Sequence, residues 1–387
     1  RQVPIDYAVI GEKANATRPE IEQVMISNDR GVDEDQFEID LYIIRRRIEK
    51  KALEHHIKDF YICSLSCRTV VYKGMFLAEQ LTAFYPDLLD VRFISSFAIF
   101  HQRYSTNTFP TWRLAQPFRM ISHNGEFNTI KGNTNWMKSH ETRAASEVFE
   151  DYNDEIFPLI EPDASDSMAM DSVMEALVFA GRPMPAAHCM MIPESWSHRP
   201  HMPEAHRDFF AYCNCVIEPW DGPAAIAASD GRWVIAGMDR NGLRPLRYTI
   251  TEDGLLVVGS ETGMVPIDEA AVMEKGRLGP GEMIGVNLAE GRFYHDRELK
   301  DMLAARPPYG EWVKKIVEID SLIGSEKEPV IYTPEELNHR QRVFGHTMED
   351  LEMILQPMVE DGKEPTGSMG DDTPLAVLSK HHRGLHH

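Results

Sequence analysis

The stretch Gly222-Pro223-Ala224-Ala225-Ile226-Ala227-Ala228-Ser229-Asp230-Gly231-Arg232-Trp233-Val234-Ile235-Ala236-Gly237-Met238 decides the fold class. Read on through Leu246–Thr251 and Leu255–Ser260, it gives four apolar runs of strand length (Gly222–Ala228 and Trp233–Met238 being the first two). Asp230-Gly231 separates the first pair and Asp253-Gly254 the second. Asp-Gly is a strong signal for a tight hairpin, and a hairpin makes its two strands antiparallel. Working outward, Asp59–Leu65, Thr69–Lys73, Phe93–Tyr104 and Phe118–His123 read as further strands. Helical spacing appears in residues 37–54 (Leu41, Ile44, Ile48, Ala52), in Phe76–Tyr85, in Asn128–Ser146 and in Ser165–Ala180, where Ser165 or Asp166 can cap. Strands, then helices, then strands again predict an α+β fold with antiparallel sheets rather than an alternating doubly wound one.

Composition narrows the function. The chain has 387 residues, 43% of them hydrophobic, with 61 acidic against 40 basic side chains and a net charge of −21. Such a charge repels phosphate backbones, so nucleic acid is not an expected partner. The densest basic cluster, Arg45, Arg46, Arg47, Lys50 and Lys51, reads as a solvated helix face. Residues 144–181 hold no Lys or Arg and read as an acidic surface loop with a helix start. No apolar run approaches the ~18 residues of a membrane span, and the start shows no signal-peptide order. Five thinly spread cysteines argue for reduced thiols and a cytoplasmic setting. The start at Arg1 and the stop at His387 suggest a piece of a longer protein. From Gly324-Ser325-Glu326-Lys327-Glu328-Pro329 the text reads as a linker, followed by a helix pattern over Pro334–Leu355 and an apolar run, Thr373–Leu378.

Metal readings fail early. Cys213-Asn214-Cys215 has one residue between thiols and no second pair in range, and Cys63 and Cys67 read as buried thiols beside strands. The tail histidines His381, His382, His386 and His387 read as a solvated turn. Gly11-Glu12-Lys13 lacks the spacing of a phosphate loop. The informative segments are His101-Gln102-Arg103-Tyr104-Ser105-Thr106-Asn107 and Ile121-Ser122-His123-Asn124-Gly125-Glu126, each turning polar at the end of an apolar run. Arg103 is a planar fork suited to a carboxylate, and Thr106 adds a hydroxyl. Asn124 and the Gly125 N–H are adjacent donors able to hold a developing oxyanion. Asp166 can pair with an ammonium. Together they describe an amino acid whose side-chain carbonyl is attacked. Taken singly, Asn-Gly is also a common turn and a strand-end Arg a common surface ion partner.

These strings, with Ser165-Asp166-Ser167 downstream and Asp239-Arg240-Asn241-Gly242-Leu243-Arg244-Pro245-Leu246 in the later sheet, resemble class II glutamine amidotransferases of the N-terminal-nucleophile hydrolase type. Thr106-Asn107-Thr108-Phe109-Pro110-Thr111-Trp112 and Asn124-Gly125-Glu126-Phe127-Asn128-Thr129, running to Asn133-Thr134-Asn135-Trp136, are similar to glutamate synthase large (alpha) chains, and Gly367–Ala376 resembles the start of their central domain. The resemblance implies a four-layer αββα amidotransferase domain over 1–322, lacking its N-terminal segment, then a linker and the beginning of a central domain over 323–387. It implies that Arg103 and Thr106 hold the α-carboxylate of L-glutamine, that Asp166 holds its amino group, and that Asn124 and Gly125 form the oxyanion hole. The family's nucleophile is an N-terminal cysteine with its own amine as base. Position 1 is Arg, and Cys63, Cys67, Cys189, Cys213 and Cys215 lack the nucleophile's context, so the piece by itself is expected to be inactive.

The full enzyme implied by the resemblance passes ammonia to 2-oxoglutarate and uses FMN and an iron–sulfur cluster, neither assigned to this stretch. It takes electrons from NADPH through a small (beta) subunit, or from ferredoxin. Two alternatives stay open here: an amidotransferase coupled to another acceptor such as a phosphosugar, and a non-catalytic glutamine-binding module.

Overall fold

The computed structural model describes residues 1–57, 59–102, 109–197, 199–317, 319–322 and 330–365. The chain forms two compact units, Arg1–Ile316 and Val317–His387. Among the described residues eight strands build the first unit's sheets: β1 (Ile121–Gly125), β2 (Ala224–Ser229), β3 (Trp233–Met238), β4 (Arg247–Thr251), β5 (Leu256–Gly259), β6 (Val272–Arg277), β7 (Met283–Asn287) and β8 (Arg292–Tyr294). One sheet has the order β1-β2-β3-β7-β8 and the other β5-β4-β6, with every pairing antiparallel. The β2–β3 hairpin closes as its Asp-Gly predicted. The Asp230 carboxylate accepts from the Arg232 and Trp233 N–H groups at 2.9 and 2.7 Å, and Gly231 takes φ +79°.

Alternation along the strands sorts the two faces of the larger sheet. Ile121, Ala224, Ile226, Ala228, Ile235 and Met283 enter the main core with the helices Asp166–Phe179, Met184–Met191, Glu204–Val216 and Asp296–Ala304. Ala225, Ala236, Met238 and Ile284 face the other way and pack with Tyr248 and Val258 of the smaller sheet and with Leu246 and Leu278, which flank its strands. The result is α+β: a helical layer, a sheet and a second sheet, three of the four layers implied by the resemblance. Among the described residues no helix is long and apolar enough to cross a membrane.

Several local expectations change. Residues 59–65, 69–73 and 93–102 contain no strand; the Val71 N–H goes to Ser64 Oγ, the Thr69 N–H to Ser66 Oγ and the Cys67 N–H to Glu38. These N–H groups are satisfied by side chains instead of a neighbouring strand. Phe76–Tyr85 shortens to single turns at Ala78–Gln80 and Leu81–Phe84. Cys63 is half-buried and Cys67 exposed, so neither is a buried thiol beside a strand.

The basic cluster on the Glu34–Glu54 helix is the largest correction, for Arg45 is 1% exposed and Arg46 6%. Arg45 bonds Glu49 at 2.8 Å and Glu175 at 2.5 Å, Arg46 bonds Glu49 and the Ile156 carbonyl, and Arg119 reaches Glu49 at 2.6 Å. Burial would raise the Glu49 carboxyl, but the guanidinium groups of Arg45, Arg119 and Arg46 prevail and hold it at about 2.

In the second unit, Thr333 and Glu336 form a capping box on the helix Pro334–Val343. The continuous pattern expected to Leu355 breaks at Gly345, φ +77°, and helix resumes at Asp350. The linker residues 323–329, Gly367–Ala376 and the tail histidines lie outside the described residues.

Candidate active site

β1 is an edge strand, and its outer edge is handled by side chains. The Ile121 N–H donates to Asp171 at 3.0 Å, and the Gln116 amide pairs with both the N–H and the carbonyl of His123, at 2.6 and 2.9 Å. Residues 121 and 123 therefore point their peptide groups away from β2. By the same alternation the Gly125 N–H points to the open edge, while the Glu126 N–H turns inward to the Pro223 carbonyl at 2.9 Å. The Asn124 side chain beside it is exposed. Gly125 has φ +143°, and a Cβ there would overlap the Pro223 carbonyl oxygen, so the turn requires glycine.

The helix Asp166–Phe179 delivers a carboxylate to this strand end. Ser165 caps the helix by accepting from the Met168 N–H at 3.2 Å, which leaves Asp166 as the first helical residue. Asp166 accepts from the Phe127 N–H at 3.0 Å, just past Gly125, and from the Ser167 N–H at 2.7 Å. Ser167 Oγ lies 3.2 Å from Asp166 and 2.8 Å from His123 Nδ1. The His123 ring stacks on Phe127 with centroids 4.7 Å apart. Burial pushes His123 down to about 4; Asp166 opposes this and His101 and Arg244 add to it, so the ring is neutral at pH 7.

The third wall comes from the β2–β3 end. Gly222 at φ +151° lies against the Glu126 carbonyl, where a Cβ would clash. Asp239, 2% exposed, accepts from the N–H groups of Ala224, Asn241 and Leu243 at 3.0, 2.9 and 3.1 Å and so fixes the loop after β3.

Of the sequence-predicted residues, Asn124, Gly125 and Asp166 meet at one end of β1, although forty-odd residues separate them in the chain. Arg103 and Thr106 lie outside the described residues. Sequence reasoning missed the roles of His123, Ser167, Asp171 and Asp239. Asp171 had a signal, an acid inside the apolar run Met168–Met174, which marks a buried and satisfied carboxylate. A cavity of about 1430 Å³ opens near Lys73, Phe118 and Ser229, toward the other end of β1, and Asn124, Gly125 and Asp166 do not line it. Among the described residues no three His, Cys, Asp or Glu gather to hold a metal ion.

Two amide donors at a strand edge, facing a helix-end carboxylate, can take a ligand with a polarised carbonyl at one end and an ammonium at the other. Residues 1–312 match the family described as glutamine amidotransferases class-II, and the chain belongs to it. Residues 339–387 match the glutamate synthase central domain. The chain is 61% identical, over its full length, to the glutamate synthase [NADPH] large chain of Azospirillum brasilense, covering 26% of that protein. It is 42% identical to the Bacillus subtilis large chain, also over its full length and covering 25% of that protein. With the chloroplastic ferredoxin-dependent glutamate synthase of Spinacia oleracea it shares 44% identity over 98% of its length, covering 24% of that enzyme. The chain thus spans about a quarter of the length of these relatives.

Proposed function

We propose that the end of β1 is a glutamine site in which Asn124 and the Gly125 N–H hold the oxyanion formed on the side-chain carbonyl. Asp166 receives the α-ammonium, and Arg103 and Thr106 receive the α-carboxylate. The observation that carries this reading is the outward N–H of Gly125 beside Asn124, with Asp166 tied to the peptide of Phe127. A preorganised pair of this kind contributes roughly 2.7–4 kcal/mol of transition-state binding per donor.

The attacking thiolate is a separate requirement. Cys189 and Cys213 are buried in the core, and burial pushes both thiols up, Cys189 to about 12. Cys67, held up by partial burial and by Glu38, is also at about 12. Such thiols are poor nucleophiles, and Cys63 and Cys215 lack the nucleophile's sequence context, so on this reading the stretch binds glutamine without turning it over.

In the larger enzyme, ammonia from this site aminates 2-oxoglutarate with electrons from NADPH through a small subunit or from ferredoxin, and FMN and an iron–sulfur cluster belong to other parts of that enzyme. The match of 339–387 to a glutamate synthase central domain favours this acceptor over a phosphosugar. The same match supports an amidotransferase domain over 1–322 and a linker with the start of the central domain over 323–387. Free cysteines throughout the described residues fit a reducing, cytoplasmic setting.

Isothermal titration of the chain with L- and D-glutamine tests the site. L-Glutamine binds, D-glutamine does not, and Asp166→Asn weakens binding by roughly tenfold or more. Equal binding of both enantiomers, or an unchanged Asp166→Asn, overturns the assignment.

A further inference from the structure

Arg244 stands out in the loop after β3. β1 and β3 both run antiparallel to β2, so Asn124-Gly125 and residues 239–246 leave the sheet at the same end. Asp239 binds the N–H of Leu243 and the N–H of Ala224, and Ala224 is the register partner of Gly125. The peptide before Arg244 and the proposed oxyanion donor are thus anchored to one strand position.

Arg244 is half-buried, its Nε is shut off from water, and it makes no hydrogen bond or ion pair among the described residues. Arg113 and Arg207 also carry a buried unpartnered Nε, but their other nitrogens bond Glu161 and the Arg199 carbonyl. Arg240, four residues earlier, is paired with Asp221. His123 Nε2 is a second buried nitrogen without a partner among the described residues, and the charges acting on that ring are Asp166, His101 and Arg244. Asp166 already accepts from Phe127 and Ser167. A guanidinium partly withdrawn from water without a counter-ion is costly, and a ligand carboxylate removes that cost.

We propose that Arg244 binds the α-carboxylate of the amino-acid ligand, opposite the ammonium held by Asp166. This rests on the reading of the β1 end as a glutamine pocket.

Titrating the chain and its Arg244→Gln variant with L-glutamine and with L-glutaminamide, which lacks the α-carboxylate, tests this. Arg244→Gln weakens L-glutamine roughly tenfold to a hundredfold and leaves L-glutaminamide within about twofold. Arg244→Lys, which keeps charge but loses the fork, weakens L-glutamine less, and it supplies the same comparison if Arg244→Gln does not fold. Equal weakening of both ligands, or no change in either, overturns the role of Arg244 alone. A wild-type chain that binds neither ligand overturns the glutamine pocket itself.

Discussion

Asp171 and Ile121 are joined by a 3.0 Å hydrogen bond in which a fully buried carboxylate accepts the first N–H of β1. The same carboxylate accepts from Met120 at 2.8 Å and from Arg119 at 3.2 Å. Five residues earlier on the same helix, Asp166 grips Phe127 at the far end of the strand. One helix therefore sets the register of the strand that presents Asn124 and Gly125.

Removing the Asp171 clamp has a defined cost. Asp171→Ala leaves three peptide N–H groups without their acceptor and destabilises the chain by about 3–5 kcal/mol. Asp171→Asn, which keeps one acceptor oxygen, costs less. Urea unfolding measures both, and a loss below about 0.5 kcal/mol for the alanine variant contradicts the clamp.

Glycines 125 and 132 respond in opposite directions. Gly125→Ala places a Cβ on the Pro223 carbonyl at a positive φ, so it unfolds the strand end or costs more than about 3 kcal/mol. Gly132 sits in the helix Ile130–Glu141 with open space around it, and Gly132→Ala raises stability by about 0.5–1 kcal/mol. Thermal melts of the two variants separate the cases.

Two core histidines bias stability against acid. His123 is held down to about 4 by burial and the neighbouring cations, and His188 to about 4 by burial and Lys300. The unfolded chain protonates both near 6.5, the folded chain only near 4. Their contribution is complete above 6.5 and is lost as pH falls from 6.5 to 4, by on the order of 2–3 kcal/mol each. Glu49 acts lower, its contribution falling away between 4.5 and about 2. His188→Leu removes a ring with no hydrogen-bond partner for either nitrogen among the described residues, so it holds stability at pH 7 within about 1 kcal/mol and flattens the slope between 6.5 and 4. Denaturant midpoints across that range give the comparison with wild type, and an unchanged slope contradicts the neutral buried ring.

The buried arginines predict a contrast along one helix. Arg45→Ala strips partners from Glu49 and Glu175 and costs about 3–5 kcal/mol. Lys51→Ala, on the exposed face of that helix, stays within about 0.5 kcal/mol. Equal effects in urea unfolding would return Arg45 to the solvated face that its neighbours in sequence suggest.

That contrast marks how far the chain could be read without coordinates. The Asp-Gly hairpins, the β3 boundaries and the Ser165 cap were legible because each depends on residues within a turn of one another. Asn124, Gly125 and Asp166 could be picked out as chemical types, but Asn-Gly is also a common turn, and only the fold brings the three to one strand end. The strands expected over 59–65 and 69–73, and over the described part of 93–104, do not form, because a strand needs a neighbour and local alternation does not supply one.

Sequence alone determined the α+β class and the donor and acceptor groups, through φ preference, periodicity and side-chain chemistry. Tertiary structure alone decided which charges are buried and which groups face one another. Arg45 meets Glu175 across 130 residues, Asp166 meets Phe127 across 39, and among the described residues Arg244 is left without a counter-ion. Desolvation and hydrogen-bond geometry act over a few ångströms of space, and chain order carries no record of those distances.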